Sequence, residues 1–181
     1  AIGPWPNPFV DVTQERYYYT PVRWAADAGV TAGVDSTHFA PGSTCTRGQV
    51  VTFLWRAYGC PAPKSAQCPF GDVSPQRYYY QAVLWAAEQR ITDGVDATHF
   101  APDRTVTRGQ LVTFLWRAEG CPTGVGTNPF ADVERGRFYY DAVLWAAKAG
   151  ITTGVDATHF RPNQSCTRGQ VATFLYREFA E

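Results

Sequence analysis

Apolar residues along this chain return every three to four positions in short stretches separated by glycine and proline. Tyr79, Ala82, Val83, Ala86 and Ala87 fall on one face of a helix. A second stretch opens at Thr46 and carries Val50, Phe53, Leu54 and Ala57 on one stripe, with Gly59 placed to stop it. Thr46 is a helix N-cap and Gln49 stands three residues on, the reciprocal capping-box spacing. Gly29 and Gly150 are expected to end the first type of helix in a left-handed residue, whereas Arg90 occupies the equivalent position and departs from the rule. Pro21 is tolerated only in a first turn, so the first helix is expected to begin near Thr20. The connecting segments, such as Gly94 to Pro102, are too long for a tight turn. They are expected to form a compact ordered loop, with Phe39, Phe100 and Phe160 plugged into the core.

This helix, loop, helix unit is used three times. Thr46-Arg47-Gly48-Gln49 recurs as Thr107-Arg108-Gly109-Gln110 and as Thr167-Arg168-Gly169-Gln170, offset by 61 and then 60 residues. Phe9-Val10-Asp11-Val12 returns as Phe70-Gly71-Asp72-Val73 and Phe130-Ala131-Asp132-Val133, and Trp24, Trp85 and Trp145 keep the same register. The units span 8–59, 69–120 and 129–179, joined by linkers containing proline and glycine at 60–69 and 120–129. Two short helices cannot enclose a core in water, so the three copies are expected to bury their faces against one another. A site built from such units recurs, which argues against one asymmetric catalytic centre.

Composition narrows the partners. The 45% apolar and 18% charged content is that of a globular chain, and the formal net charge of zero, with no basic run, disfavours a nucleic-acid partner. Lys64 and Lys148 are the only lysines, so the positive charge is almost all arginine, the cation suited to gripping a planar carboxylate. No apolar stretch approaches the roughly 20 residues that span a bilayer. A chain without methionine even at position 1 is expected of a processed product, and a mature secreted chain would lack its signal peptide. The cysteines are five: Cys45, Cys60, Cys68, Cys121 and Cys166. None has the paired spacing of a zinc site. Cys60 and Cys68 flank a short proline-rich connector that a disulfide could close, in keeping with an oxidising, extracellular setting. Cys45 and Cys166 align with Val106, which reads either as a small buried residue or as two thiols that meet and bond. Cys121 is then left over.

Candidate chemistry centres on the repeated motif. Arg47, Arg108 and Arg168 fall at the first position of a helix, where a cation faces the positive end of the dipole at a cost of about 0.3–1 kcal/mol. A partner is expected: an internal carboxylate, with Asp11, Asp72 and Asp132 the candidates, or an external anion that the helix-start amides would also favour. Gly48, Gly109 and Gly169 remove a side chain where a ligand could approach the backbone. The aromatic clusters Tyr17-Tyr18-Tyr19, Tyr78-Tyr79-Tyr80 and Phe138-Tyr139-Tyr140 can pack in the core or stack on sugar rings. His38, His99 and His159 each follow an aspartate by three residues, a pairing better suited to bracing the loop than to ligating a metal. Neither a cofactor motif nor a catalytic one is present, and an enzyme is not expected.

Taken together, Phe-x-Asp-Val, an aromatic six residues after that aspartate, Trp-Ala-Ala on the helix, Phe-x-Pro and Thr-Arg-x-x resemble the bacterial S-layer homology domain, in three consecutive copies. The resemblance implies a mainly α fold in which three repeats form a pseudo-threefold trimer around a central helical bundle, with grooves between neighbours. It implies a secreted, cell-surface anchor that binds a secondary cell-wall polysaccharide, acidic and often pyruvylated. The family's sugar-contacting arginine falls on Arg47, Arg108 and Arg168. Its motif aspartates fall on Asp11, Asp72 and Asp132, and its loop glycines on Gly33, Gly94 and Gly154. This chain has Thr-Arg-Gly-Gln where the family has Thr-Arg-Ala-Glu, and Tyr17, Tyr78 and Phe138 where a tryptophan is usual. The alternative is a structural or protein-interaction module of a surface protein that does not itself bind glycan.

Overall fold

A computed structural model describes residues 3–124 and 126–180. Among the described residues six helices follow one another, two per repeat: α1 (Tyr19–Asp27), α2 (Arg47–Ala57), α3 (Tyr80–Glu88), α4 (Arg108–Ala118), α5 (Tyr140–Lys148) and α6 (Arg168–Phe179). Only isolated β-bridges occur among the described residues. The fold is mainly helical, as the apolar spacing predicts.

Local signals set the helix ends. Thr46, Thr107 and Thr167 cap α2, α4 and α6 through full capping boxes; in the first, the Gln49 amide donates to Thr46 Oγ1 at 3.2 Å while Gln49 Oε1 accepts from the Thr46 amide at 3.0 Å. Each box satisfies two of the donors that a helix start leaves open. Gly29 and Gly150 end α1 and α5 at positive φ, and Arg90 is forced into the same left-handed conformation (φ 56°) at the end of α3. That is a mild strain which glycine avoids in the other two copies.

The repeats are interleaved rather than strung in line. The second helix of each repeat packs on the first helix of another: α2 on α3, α4 on α5, and α6 back on α1, with α2 also touching α4 and α6. At the heart of this arrangement three amides and three carbonyls form a closed hydrogen-bond ring. Cys45 N–H donates to Cys166 O (3.0 Å), Cys166 N–H to Val106 O (3.0 Å), and Val106 N–H to Cys45 O (2.9 Å). All three side chains are fully buried. The position therefore takes a small apolar residue, the first of the two readings offered by the sequence.

The disulfides expected from Cys60 with Cys68, or Cys45 with Cys166, are not formed: all five cysteines are free thiols. Cys60 is held by the end of α2, at positive φ with its amide on Trp55 O, while Cys68 packs against the core. Burial pushes the thiols of Cys45 and Cys166 up to about 12, which keeps them as inert packing groups.

The ordered loops plug the core as expected, with Phe39, Phe100 and Phe160 wholly buried against Phe9, Phe70 and Phe130 at ring distances of 5.7–5.8 Å. Each loop is braced by its aspartate–histidine pair, His99 Nδ1 lying 2.9 Å from Asp96 Oδ1. Two loop amides and the neighbouring hydroxyl also converge on that aspartate, which holds the Asp35, Asp96 and Asp156 carboxyls down to about 2.

Candidate functional site

Three grooves of about 350–400 Å³ open on the surface, and each draws on all three repeats. One is built on the second repeat (Thr92, Gly94, Gln110, Thr113, Arg117), closed on one side by Arg47 of the first repeat and on the other by Phe138 of the third. The groove on the third repeat takes Arg108 from the second and Tyr17 from the first. The groove on the first repeat takes Arg168 from the third and Tyr78 from the second. Their volumes suit a small polar ligand.

The motif arginines are held by loop carbonyls and not by the carboxylates of Asp11, Asp72 and Asp132. Arg47 Nε donates to Phe100 O (2.8 Å), Arg108 Nε to Phe160 O (2.7 Å) and Arg168 Nε to Phe39 O (2.7 Å), each crossing into a different repeat. The guanidinium lies between two rings, for Arg47 at 4.7 Å from the Phe100 centroid and 5.3 Å from Phe114. Arg47 lines its groove although only 3% exposed, and its buried Nη2 has no hydrogen-bond partner. Burial pushes all three arginines below the usual range; Arg47 comes to about 10 through burial first and the neighbouring Arg104 second. They remain cations at neutral pH.

Asp11, Asp72 and Asp132 form no salt bridge with these arginines among the described residues. Asp72 instead accepts from the amides of Phe100 (2.8 Å) and Ala101 (2.7 Å), and its two counterparts do the same in their own loops. The carboxylate thus fixes the very phenylalanine whose carbonyl receives the arginine. The aspartates position the site from behind.

The helix-start amides, expected to be free for an anion, are occupied. Arg47 N–H donates to Arg104 O and Gly48 N–H to Pro102 O, with the same pattern at Arg108, Gly109, Arg168 and Gly169. Gly48 lies in the seam, not on the groove wall. A Cβ there would come within 2.8 Å of Tyr79 Cδ1 and 3.2 Å of Pro102 O, and Gly109 and Gly169 meet Tyr139 and Tyr18 in the same way. The glycine is required by packing between repeats.

Gly33, Gly94 and Gly154 do line the grooves. Each has φ of 82–83°, and a Cβ on Gly94 would strike the carbonyls of Asp96 and His99 at 2.5 Å. The aromatic clusters divide by position. Tyr79 and Tyr139 are buried, while Tyr17, Tyr78 and Phe138 are 55–61% exposed at the groove edges, each edge-on to the next ring at 5.0–5.1 Å. Half-burial pushes the Tyr17 and Tyr78 phenols up, offset in part by hydrogen bonds with Thr167 and Thr46.

The sequence reading missed a further layer. Arg56, Arg117 and Arg177, nine residues after each motif arginine, line the three grooves and donate to Val30, Ile91 and Ile151 carbonyls at 3.1–3.3 Å. Thr52, Thr113 and Thr173 stand beside them, nearly buried. Their recurrence in all three copies was the available signal.

The fold is a helical triplet whose seams carry buried guanidinium groups beside exposed aromatic rings. The sequence matches the S-layer homology domain over residues 8–51, 69–112 and 129–172, and the chain belongs to that family. Among curated proteins it is similar to an endoglucanase of Bacillus sp. (34% identical over 64% of this chain and 12% of that protein). It is also similar to the surface-layer 125 kDa protein of Lysinibacillus sphaericus (30% identical over 86% of this chain and 13% of that protein). A cell surface protein of Thermoanaerobacter kivui is 25% identical over 94% of this chain and 21% of its own length. The chain spans about a fifth or less of each of these relatives.

Proposed function

We propose that the chain is a non-covalent cell-surface anchor, which binds an acidic secondary cell-wall polysaccharide, pyruvylated sugars included, in the grooves between its repeats. In this reading the units 8–59, 69–120 and 129–179 close with pseudo-threefold symmetry about the ring through Cys45, Val106 and Cys166, and the second helices form the central bundle. The guanidinium end of Arg47, Arg108 or Arg168 meets the acidic group, and Tyr17, Tyr78 or Phe138 stacks on the sugar ring. Asp11, Asp72 and Asp132 hold the loops in place, and Gly33, Gly94 and Gly154 let the saccharide approach the backbone.

The observation that carries this reading is that every groove pairs a buried cation from one repeat with an exposed ring from another. A desolvated guanidinium interacts with an anion far more strongly than one in water does. The names of two relatives, a surface-layer protein and a cell surface protein, agree with a location outside the cell. The endoglucanase name belongs to a protein of which this chain matches only 12%, and gives no reason to expect that activity here.

The test is cosedimentation with purified wall sacculi, before and after the polysaccharide is stripped from them. Pelleting that disappears on stripping supports the anchor. Pelleting that survives stripping, or that needs an added surface protein, supports the interaction module instead.

A further inference from the structure

The three grooves share their arginines, threonines and glycines, but they are not copies. The residue three positions before each capping threonine is Ser43 in the first repeat, Arg104 in the second and Gln164 in the third. Arg104 lines the groove of the second repeat, next to Arg47. Its side chain is exposed and takes part in no salt bridge among the described residues, and its sequence neighbour Asp103 is engaged by Arg77 at 3.7 Å. Of the other charged groups near this groove, Arg117 is paired with Asp93 at 3.4 Å, and Asp72 is held by two amides. Two guanidinium groups therefore line one groove, and neither forms a salt bridge among the described residues. Arg47 is held down to about 10 by burial first and by the Arg104 charge second. In the third repeat Arg161 acts weakly on Arg108 from outside the groove wall, and neither Gln164 nor Ser43 adds a charge to its own groove.

A second feature marks the same place. Arg47 Nη2 is buried without a hydrogen-bond partner, and a buried N–H left open is costly unless something fills it. Across the groove stands Phe138, which has no hydroxyl, where the other two grooves have Tyr17 and Tyr78.

We propose that the groove of the second repeat is the principal anion site, in which Arg104 and the open Nη2 of Arg47 clamp one oxyanion between them, and that Arg104 ranks the three grooves. The proposal rests on the anchor reading for its biological ligand, but the ranking is a property of the groove. Clamping by two guanidinium groups favours a group with several anionic oxygens over a single carboxylate, because both forks then have acceptors.

The experiment is an NMR titration of the whole chain, first with inorganic phosphate and then with acetate, at fixed ionic strength. Groove glycines serve as reporters: Gly94 for the second repeat, Gly33 for the first and Gly154 for the third. Phosphate is expected to saturate the Gly94 signal at about tenfold lower concentration than the other two, as one additional charge-assisted contact implies, and acetate to show a smaller preference. Arg104→Gln should bring the three midpoints together, and Gln164→Arg should move the Gly154 midpoint toward that of Gly94. Both substitutions are at exposed positions, so folding is not at stake. Three midpoints that coincide in the unaltered chain, or an order that Arg104→Gln leaves unchanged, overturn the proposal. Pelleting on sacculi is measured alongside: its absence with the phosphate order intact sinks only the anchor reading, and its presence with equal midpoints sinks only the ranking.

Discussion

Arg47 and Phe100 are tied twice: the guanidinium Nε donates to the Phe100 carbonyl at 2.8 Å, and the guanidinium carbon lies 4.7 Å from the centroid of the Phe100 ring. One side chain therefore staples the first repeat to the second and also lines a groove. Binding and assembly share the same three arginines, and alanine substitutions there report on both. Arg47→Lys keeps the charge but loses the Nε contact and the stacked plane. It should lower stability by about 1–3 kcal/mol in chemical denaturation.

The seam glycines offer a cleaner test of how the repeats meet. The family motif has alanine where this chain has Gly48, Gly109 and Gly169, because here Tyr79, Tyr139 and Tyr18 occupy the space. Gly109→Ala should cost about 1–3 kcal/mol by overpacking, read as a lowered denaturation midpoint. The double variant Gly109→Ala with Tyr139→Leu should recover part of that loss if the ring is the obstacle.

How far the sequence foretold this follows from the range over which each interaction acts. The Thr46–Gln49 capping box and the left-handed Arg90 are settled within a few residues, and both are readable directly. The destination of Arg47 is not, because its acceptor lies 53 residues away on a loop whose position Asp72 fixes from a third segment. The same distance hides the role of Gly48, whose constraint is a ring in another repeat. Repetition could have exposed Arg56, Arg117 and Arg177, since they recur in register. Arg104 breaks the repeat and stands out only once the grooves are assembled.

The exposed rings separate binding from folding. Tyr17, Tyr78 and Phe138 lie at groove edges, so replacing all three with alanine should change stability by no more than about 0.5 kcal/mol per site. Retention on wall sacculi should nonetheless drop severalfold. Thermal melts and pelleting on the same samples check the two halves of this statement.

A pH effect is expected at the far end of the bundle. Burial, then the Glu119 carboxylate, raises the Glu178 carboxyl to about 7, and Tyr58 donates to Glu119 at 2.5 Å. A carboxyl raised in the fold binds its proton more tightly there than in the unfolded chain. Its contribution is thus fully present below about 4.5 and is lost as pH rises through about 7. Glu178→Gln should leave stability at pH 4 nearly unchanged and raise it at pH 8, by on the order of 1 kcal/mol once solvent screening is allowed for. Denaturation midpoints at the two pH values check the sign.

The central claim, that an acidic wall saccharide sits between a buried guanidinium and an exposed ring, is tested most directly by a crystal structure with a purified wall-glycan fragment. The account predicts the acidic group within hydrogen-bond reach of Arg47, Arg108 or Arg168, and a sugar ring against Phe138, Tyr17 or Tyr78. A fragment bound elsewhere on the surface, with all three grooves empty at saturating concentration, would contradict it.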